Sequence, residues 1–154
     1  GVFYRTGIKQ LTIPGSVVKI DVIDKSIKLS KPSYLKKFKR DSGAIYYEAR
    51  ATIKASGKKA VTYKASRITK IKAKTSKVTI QKGKTTKLQT RVYISKKLKK
   101  GYLDSEILKF TTSNKKVVKV SSKGTIKGLK KGKATVTVKL RTTGKTYKVN
   151  VKVK

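Results

Sequence analysis

The sequence contains no Cys, His, Trp or Met. Without Cys and His, the chain cannot build the common zinc, iron–sulfur or haem sites, and it cannot form a Ser–His or Cys–His nucleophile pair. The lack of Cys also removes any disulfide bond, so packing alone has to hold the fold together. We therefore expect no cofactor and no bound metal.

Acidic residues are scarce as well: Asp and Glu together number 6, against 43 Lys and Arg. General acid–base catalysis would depend on these few carboxylates, so we predict that the protein is not an enzyme. Asp104 and Glu106 could share one face and contact Ca²⁺, but that ion takes about six to eight oxygen ligands, so ion pairs with lysines are favoured. We expect Glu48, inside an otherwise apolar strand pattern, at an outward position facing lysines.

Long apolar runs are also missing. No run approaches the ~20 residues that cross a bilayer, and the first residues do not show the charged segment and apolar core of a signal peptide. We expect no membrane span. We expect a mature or excised fragment, for which a missing leader says nothing against secretion.

What the sequence has in quantity is alternation of apolar and polar residues, most regular near its end. Apolar residues occupy every second position from Lys133 to Leu140, and alternation resumes from Tyr147 to Val153 after an RTTG turn. Period two is typical of half-buried strands, so this segment predicts a β-hairpin. Shorter apolar runs occur at 78–80, 88–94, 107–112, 117–120 and 125–126. About seven strands of this length predict an antiparallel sandwich.

Three segments of this half also carry a family pattern. They are ITKIKAKTSKVTIQKGKTTKLQTRV, then FTTSNKKVVKVSSKG, then TIKGLKKGKATVTVKL. In this order they resemble the group 2 bacterial immunoglobulin-like domains, the repeated modules of intimin- and invasin-type adhesins and of many Gram-positive surface proteins. The resemblance covers residues 68–154 and implies an immunoglobulin-like β-sandwich, usually part of an extracellular chain. A Trp commonly begins the central block; Phe110 stands there and keeps an aromatic core plug.

Residues 1–67 resemble no family that we recognise. The run IYYEARATIKA, the turn SGKK and the run AVTYKAS predict a hairpin, and strands are also expected around Pro14-Gly15 and in SIKLS. Residues 32–41 read as a basic loop or a single helical turn. The predicted fold is thus all-β, with a β-sandwich-like domain at 1–67 before the immunoglobulin-like domain at 68–154. The alternative for the first part is an elaborated strand set packed on its neighbour.

Six glycines fall between the alternating runs of the second half, where a turn with positive φ favours glycine. They are Gly83, Gly101, Gly124, Gly128, Gly132 and Gly144.

The lysines fall mostly at outward strand positions and in turns, where charge keeps a face solvated and discourages edge pairing. The net charge of +37 attracts polyanions whatever the fold beneath. The pairs Lys115 and Lys116, and Lys130 and Lys131, are candidate polyanion contacts. Lys far outnumbers Arg and the Tyr residues are scattered, so any binding of nucleic acid should be nonspecific and steeply dependent on salt.

We therefore predict a noncatalytic extracellular module of a bacterial surface or secreted protein, acting in cell adhesion or cell-wall association and as a structural spacer. The expected partners are anionic cell-wall polymers or host surface glycans, and neighbouring domains of the parent chain. The alternative is a protein that binds nucleic acid or another polyanion without specificity. As a general electrostatic coat, the lysines should bind teichoic-acid-like polymers, heparin and DNA weakly, with all three affinities falling together as salt rises.

Overall fold

The computed structural model describes residues 10–12, 17, 19–21, 28–31, 35–39, 45–55, 61–94, 101–103 and 105–154. Within them, strands and two short 3-10 helices, Ala65–Arg67 and Ser105–Ile107, are the regular elements. The first strands are β1 (Gln10–Thr12), β2 (Lys19–Asp21), β3 (Lys28–Ser30), β4 (Leu35–Lys39), β5 (Ile45–Ala55) and β6 (Val61–Lys64). The later strands are β7 (Lys70–Ala73), β8 (Lys77–Ile80), β9 (Thr85–Lys87), β10 (Thr90–Tyr93), β11 (Gly101–Leu103), β12 (Leu108–Thr112), β13 (Val118–Val120), β14 (Thr125–Gly128), β15 (Gly132–Leu140) and β16 (Thr146–Val153). The predicted all-β class is confirmed.

The second half forms the predicted sandwich. One sheet has the order β12-β15-β16-β8, and β13-β14-β9 form the facing sheet. The hairpin of β15 and β16 pairs from Gly132 with Val153 to Lys139 with Thr146, as its alternation predicted. Every second side chain is buried from Ala134 to Leu140 and from Val149 to Val153, because successive residues of a strand point to opposite faces.

Two segments of the sandwich, residues 70–80 and 85–93, are each divided between two sheets. β7 pairs antiparallel with β10, and after a short bend β8 pairs parallel with β16. The chain then crosses back: β9 pairs with β14, whereas β10 belongs to the sheet of β7. This segment of the chain therefore contributes strands to both layers of the sandwich. The strand expected at 88–94 is β10, whereas the parallel pairing of β8 with β16 departs from the expected antiparallel pattern.

The first half is organised around β5. This long strand pairs with β2, β4, β6 and β11, and the predicted β5–β6 hairpin is confirmed. The interpretation of residues 32–41 as a loop or helical turn was wrong where it is described, because Leu35–Lys39 form a strand on β5 and Leu35 is fully buried. Pro14, Gly15 and the turn at 56–60 lie outside the described residues.

The two halves share one sheet. β11 pairs with β5 on one side and with β10 on the other, so a seven-stranded sheet runs from β2 to β7. A contiguous core joins Leu35, Ala49 and Ile53 to the valines of the sandwich. The division at residues 67 and 68 stays a prediction, and the shared sheet gives the two parts a common hydrogen-bonded layer.

Five of the six glycines divide into two groups, and the sixth, Gly101, begins strand β11 rather than lying in a turn. Gly83, Gly124, Gly132 and Gly144 have positive φ, as the turn interpretation requires. For Gly128 that interpretation was wrong, because it lies inside β14 and its φ is not positive. A Cβ there would come 2.9 Å from Cγ1 of Val153 and 3.0 Å from the carbonyl oxygen of Gln81. Gly128 thus allows the two sheets to approach closely.

Candidate functional site

The first candidate pair of lysines lies in the turn between β12 and β13. The Oδ1 atom of Asn114 accepts the backbone N–H of Lys116 at 3.0 Å, and the Asn114 carbonyl accepts the N–H of Val118 at 3.0 Å. A short polar side chain that closes its own turn in this way is typical of Asn. The turn leaves Lys115 and Lys116 exposed.

The second pair lies in the connection from β14 to β15, and the fold brings it beside the first. The backbone N–H of Leu129 donates to the carbonyl oxygen of Val117 at 2.8 Å, and the N–H of Lys130 reaches the same oxygen at 3.4 Å. Lys130 and Lys131 are exposed. We call Lys115, Lys116, Lys130 and Lys131 the lysine cluster: two sequence runs that meet around the buried Val117. The arrangement concentrates positive charge at one end of the sandwich, and its role in binding stays a prediction.

A second basic surface covers the outer face of the β12-β15-β16-β8 sheet, opposite the core. Its outward residues are Lys77 and Thr79 on β8, Lys109 and Thr111 on β12, Lys133, Thr135, Thr137 and Lys139 on β15, and Thr146, Lys148, Asn150 and Lys152 on β16. All are Lys, Thr or Asn, and the four strands contain no Asp or Glu. The face is therefore cationic and rich in hydrogen-bonding groups.

Part of this face forms a trough of about 610 Å³. Its charged lining comes from three strands: Lys77 of β8, Lys133 of β15 and Lys152 of β16. Lys133 and Lys152 are directly opposite each other in the strand register. Like charges in that position destabilise a sheet, so this pair lowers the stability of the isolated fold.

Short polar side chains lie between these lysines. The hydroxyl of Thr135 donates to Oδ1 of Asn150 at 3.3 Å, and the hydroxyl oxygen of Ser113 accepts the backbone N–H of Thr135 at 2.9 Å. The Asn150 amide nitrogen and the Ser113 hydroxyl hydrogen can still donate to a ligand.

Sequence reasoning missed the trough. The signal was present, because the predicted hairpin places Thr135 opposite Asn150 and Lys133 opposite Lys152 once its register is counted from the RTTG turn. The contribution of Lys77 could not be found in this way, since it depends on the parallel pairing of β8 with β16.

The carboxylates form a different kind of site. Glu48 is 7% exposed, so the expectation of an outward position was wrong, although its basic partners were expected. Its Oε2 lies 2.9 Å from an Nη atom of Arg50, and its Oε1 lies 3.1 Å from Nζ of Lys64. These ion pairs compensate the buried charge. Asp104 lies outside the described residues, and Glu106 is exposed in the 3-10 helix Ser105–Ile107.

Comparison with known families gives a match over the sandwich. The profile of the bacterial Ig-like domain (group 2) family matches residues 67–151, which is more than half of the chain. The chain belongs to this family. A comparison with curated proteins finds no match.

Bacterial Ig-like domains of group 2 are noncatalytic and occur in bacterial surface proteins. The match begins next to the predicted start of the immunoglobulin-like domain at residue 68. Within the described part of the chain, there is no helix that is long and apolar enough to cross a membrane.

This Ig-like domain has Phe110 where a Trp is common. Phe110 is half-buried and packs against the core, and its Cζ lies 2.7 Å from the position that a Cβ on Gly124 would take. Gly124 also has a φ of +78°, which disfavours other residues. The ring of Phe110 therefore covers the glycine turn that leads into β14. The aromatic residue that was expected in the core lies at its edge.

Proposed function

We propose that this chain is a noncatalytic extracellular module of a bacterial surface or secreted protein, which serves as a structural spacer and associates with anionic polymers of the cell wall. Family membership supports the noncatalytic surface module. The basic surfaces of the sandwich support the partner, because their charge complements a polyanion. Adhesion through anionic glycans of a host surface would use the same charge.

The observation that carries this proposal is the exposed lysine cluster. Its four ammonium groups come from two loops that the carbonyl of Val117 holds together. Neither loop contains Asp or Glu, so its charges have no acidic neighbour in sequence. A surface of one sign raises the local concentration of oppositely charged polymers and speeds their association, over a range of about 8 Å at physiological salt.

Nonspecific binding of nucleic acid is the second candidate, favoured by the net charge of +37. Bases are usually read by Arg, Asn or Gln, and single strands are usually held by stacked aromatic side chains. The lysine cluster contains none of these residue types. The charge therefore supports contact with phosphate but gives no means of reading a sequence.

The test is co-sedimentation of the full chain with purified Gram-positive cell walls, before and after chemical removal of their anionic polymers. We expect binding near physiological ionic strength that falls as salt rises, and loss of binding to the stripped walls. Equal binding to stripped walls contradicts association through anionic polymers. Binding to DNA with none to walls favours the second candidate.

A further inference from the structure

We propose that the trough on the outer face of the β12-β15-β16-β8 sheet binds a linear polyol-phosphate polymer of the bacterial cell wall. The polar residues of its lining are Lys77, Thr79, Ser113, Lys133, Thr135, Asn150 and Lys152. This inference rests on the proposed function and deepens it, since it assigns the wall contact to one face and one polymer class.

The positive charges of the trough favour an anionic ligand. Lys133 and Lys152 are neighbours across the hairpin, and Lys77 comes from the next strand. The four strands of the sheet provide no carboxylate to neutralise them. A bound phosphate would offset a repulsion that the fold otherwise carries.

The hydrogen-bonding groups of the trough suit phosphate in particular. A phosphate accepts hydrogen bonds from several directions, and the lysines, the Asn150 amide and the Ser113 hydroxyl approach from different elements. The bond from Thr135 to Oδ1 of Asn150 leaves the amide nitrogen as the donor. A carboxylate is better matched by the planar fork of Arg, which the trough lacks.

The shape of the face suits a polymer. Outward positions repeat about every 6.8 Å along a strand, and neighbouring strands lie about 4.8 Å apart, so lysines and hydroxyls form a closely spaced array. Lys148 and Lys139 continue the positive charge along the hairpin, and Lys109 lies opposite Lys139 on β12. An extended chain can therefore leave the trough without leaving the basic face.

The chemistry of the face favours a polyol over a nucleic acid as the backbone of this polymer. Its outward residues include no aromatic side chain on which a base could stack and no Arg. The aromatic residue of β16, Tyr147, instead donates or accepts a hydrogen bond with buried Thr90 at 2.7 Å. Thr and Asn side chains can bond the hydroxyl groups of a polyol, which needs no stacking.

The first test removes the charges of the trough. Fluorescence anisotropy at about 0.15 M ionic strength would compare labelled poly(glycerol phosphate) on the full chain and on the triple variant Lys77→Gln, Lys133→Gln, Lys152→Gln. The matched control is Lys87→Gln, Lys119→Gln, Lys127→Gln, which takes three exposed lysines from the facing sheet and includes an equally opposed pair, Lys119 and Lys127. We expect affinity to fall about thirtyfold for the trough variant and about threefold for the control. Equal losses contradict the trough.

The second test leaves the charge unchanged. Asn150→Ala removes the amide donor, whereas Thr146→Ala changes an exposed position of the same strand outside the trough. We expect about a tenfold loss of affinity for poly(glycerol phosphate) from the first and none from the second, because only the first removes a hydrogen bond to a charged group. Both residues are exposed, so circular dichroism and urea unfolding should match those of the unchanged chain. No effect of Asn150→Ala overturns the proposal.

The third test separates the two phosphate polymers. Oligo(dT) with the same number of phosphates should bind more weakly near 0.15 M ionic strength, with an affinity that Asn150→Ala does not change. Tight binding of oligo(dT) that Asn150→Ala abolishes would assign the trough to nucleic acid instead. If poly(glycerol phosphate) binds but every variant behaves like its control, the trough fails and the surface-module function stands. If neither this polymer nor the walls bind, the proposed wall association fails as well.

Discussion

The sandwich and the strand set around β5 both bury polar side chains, but of different kinds. In the sandwich the buried polar group is neutral: Thr90 is 3% exposed and shares a hydrogen bond with Tyr147. Around β5 it is a carboxylate, that of Glu48, with Arg50 and Lys64 as ionic partners. Because a neutral pair needs one partner and a buried charge needs compensation on all sides, the two regions should respond differently to mutation.

The difference follows from how each region directs its basic residues. The sandwich strands send their lysines outward, where water solvates them. β5 has neighbours on both edges at Glu48, and their lysines Lys19 and Lys36 are its register partners. The carboxylate of Glu48 contacts Arg50 and Lys64, and it lowers the repulsion between these two cations. In a chain with few acidic residues, we therefore expect the loss of a buried Glu to lower stability more than the loss of an exposed one.

The largest expected effect tests the apolar side of the sandwich. Val136 is fully buried, and Val136→Asp places an unpaired charge beneath the hairpin, so we expect a loss of about 3–5 kcal/mol of unfolding free energy in urea titrations. The control is Thr137→Asp, the next residue on the same strand, which faces outward opposite Lys148. It should change stability by less than about 0.5 kcal/mol. Equal effects of the two substitutions would contradict the assigned faces of β15.

The next effect tests the ionic site. Glu48→Gln keeps the shape of the side chain but leaves Arg50 and Lys64 without their anion. We expect a loss of about 1–3 kcal/mol, below the full cost of breaking a buried pair because both partners retain contact with water. Glu106→Gln, at an exposed position, should cost less than about 0.5 kcal/mol. A neutral Glu48→Gln would mean that the strand set does not need the carboxylate.

A smaller effect concerns the neutral pair. Burial raises the pKa of Tyr147 above its usual value, and the hydrogen bond with Thr90 opposes this only in part. The unfolded state therefore loses its proton first, so the contribution of Tyr147 is complete below pH ~10 and is lost as pH rises through the folded-state pKa. Tyr147→Phe should cost about 1 kcal/mol at neutral pH and make stability fall less steeply above pH ~10. An unchanged alkaline slope in urea titrations contradicts this assignment.

The smallest expected effect concerns the lysine cluster. Lys115→Gln with Lys116→Gln, and Lys130→Gln with Lys131→Gln, should each leave stability within about 0.5 kcal/mol, because all four are exposed. Each pair should weaken binding to heparin by a similar factor of about two to three at low salt. If binding resisted salt and only one of the two double substitutions abolished it, the affected pair would belong to a shaped binding site. The interpretation of the lysines as a general electrostatic coat would then be wrong.

Local pattern predicted the elements whose neighbours are close in sequence. The final hairpin was predicted to within a residue at its strand ends, because each strand alternates strictly and its partner follows one short turn away. β4 was missed because a basic segment with few apolar residues becomes a strand only by pairing with β5. β11 was missed because its three residues are fixed by β10 and β5, both distant in sequence.

The candidate site was predictable to a similar extent. The lysine pairs could be identified in the sequence, but their meeting depends on the backbone bonds from Leu129 and Lys130 to Val117. The role of Gly128 could not be inferred, since only the packing of Val153 from the other sheet shows why a side chain is excluded there. The alternation of a strand shows which of its faces is buried, but it does not show which residues of the other sheet pack on that face.

The parallel pairing of β8 with β16 has a mechanical consequence for the proposed spacer role. Residues Lys77 to Ile80 run alongside Asn150 to Val153 in the same direction. β8 lies near the start of the sandwich segment in sequence, and β16 lies near its end. Tension between those ends pulls the two strands past each other lengthwise. Their backbone hydrogen bonds are then loaded in shear and have to break together, whereas a hairpin pulled open at its ends would unzip bond by bond. Forced unfolding is governed by the unfolding rate, so we expect this pair to slow extension under load.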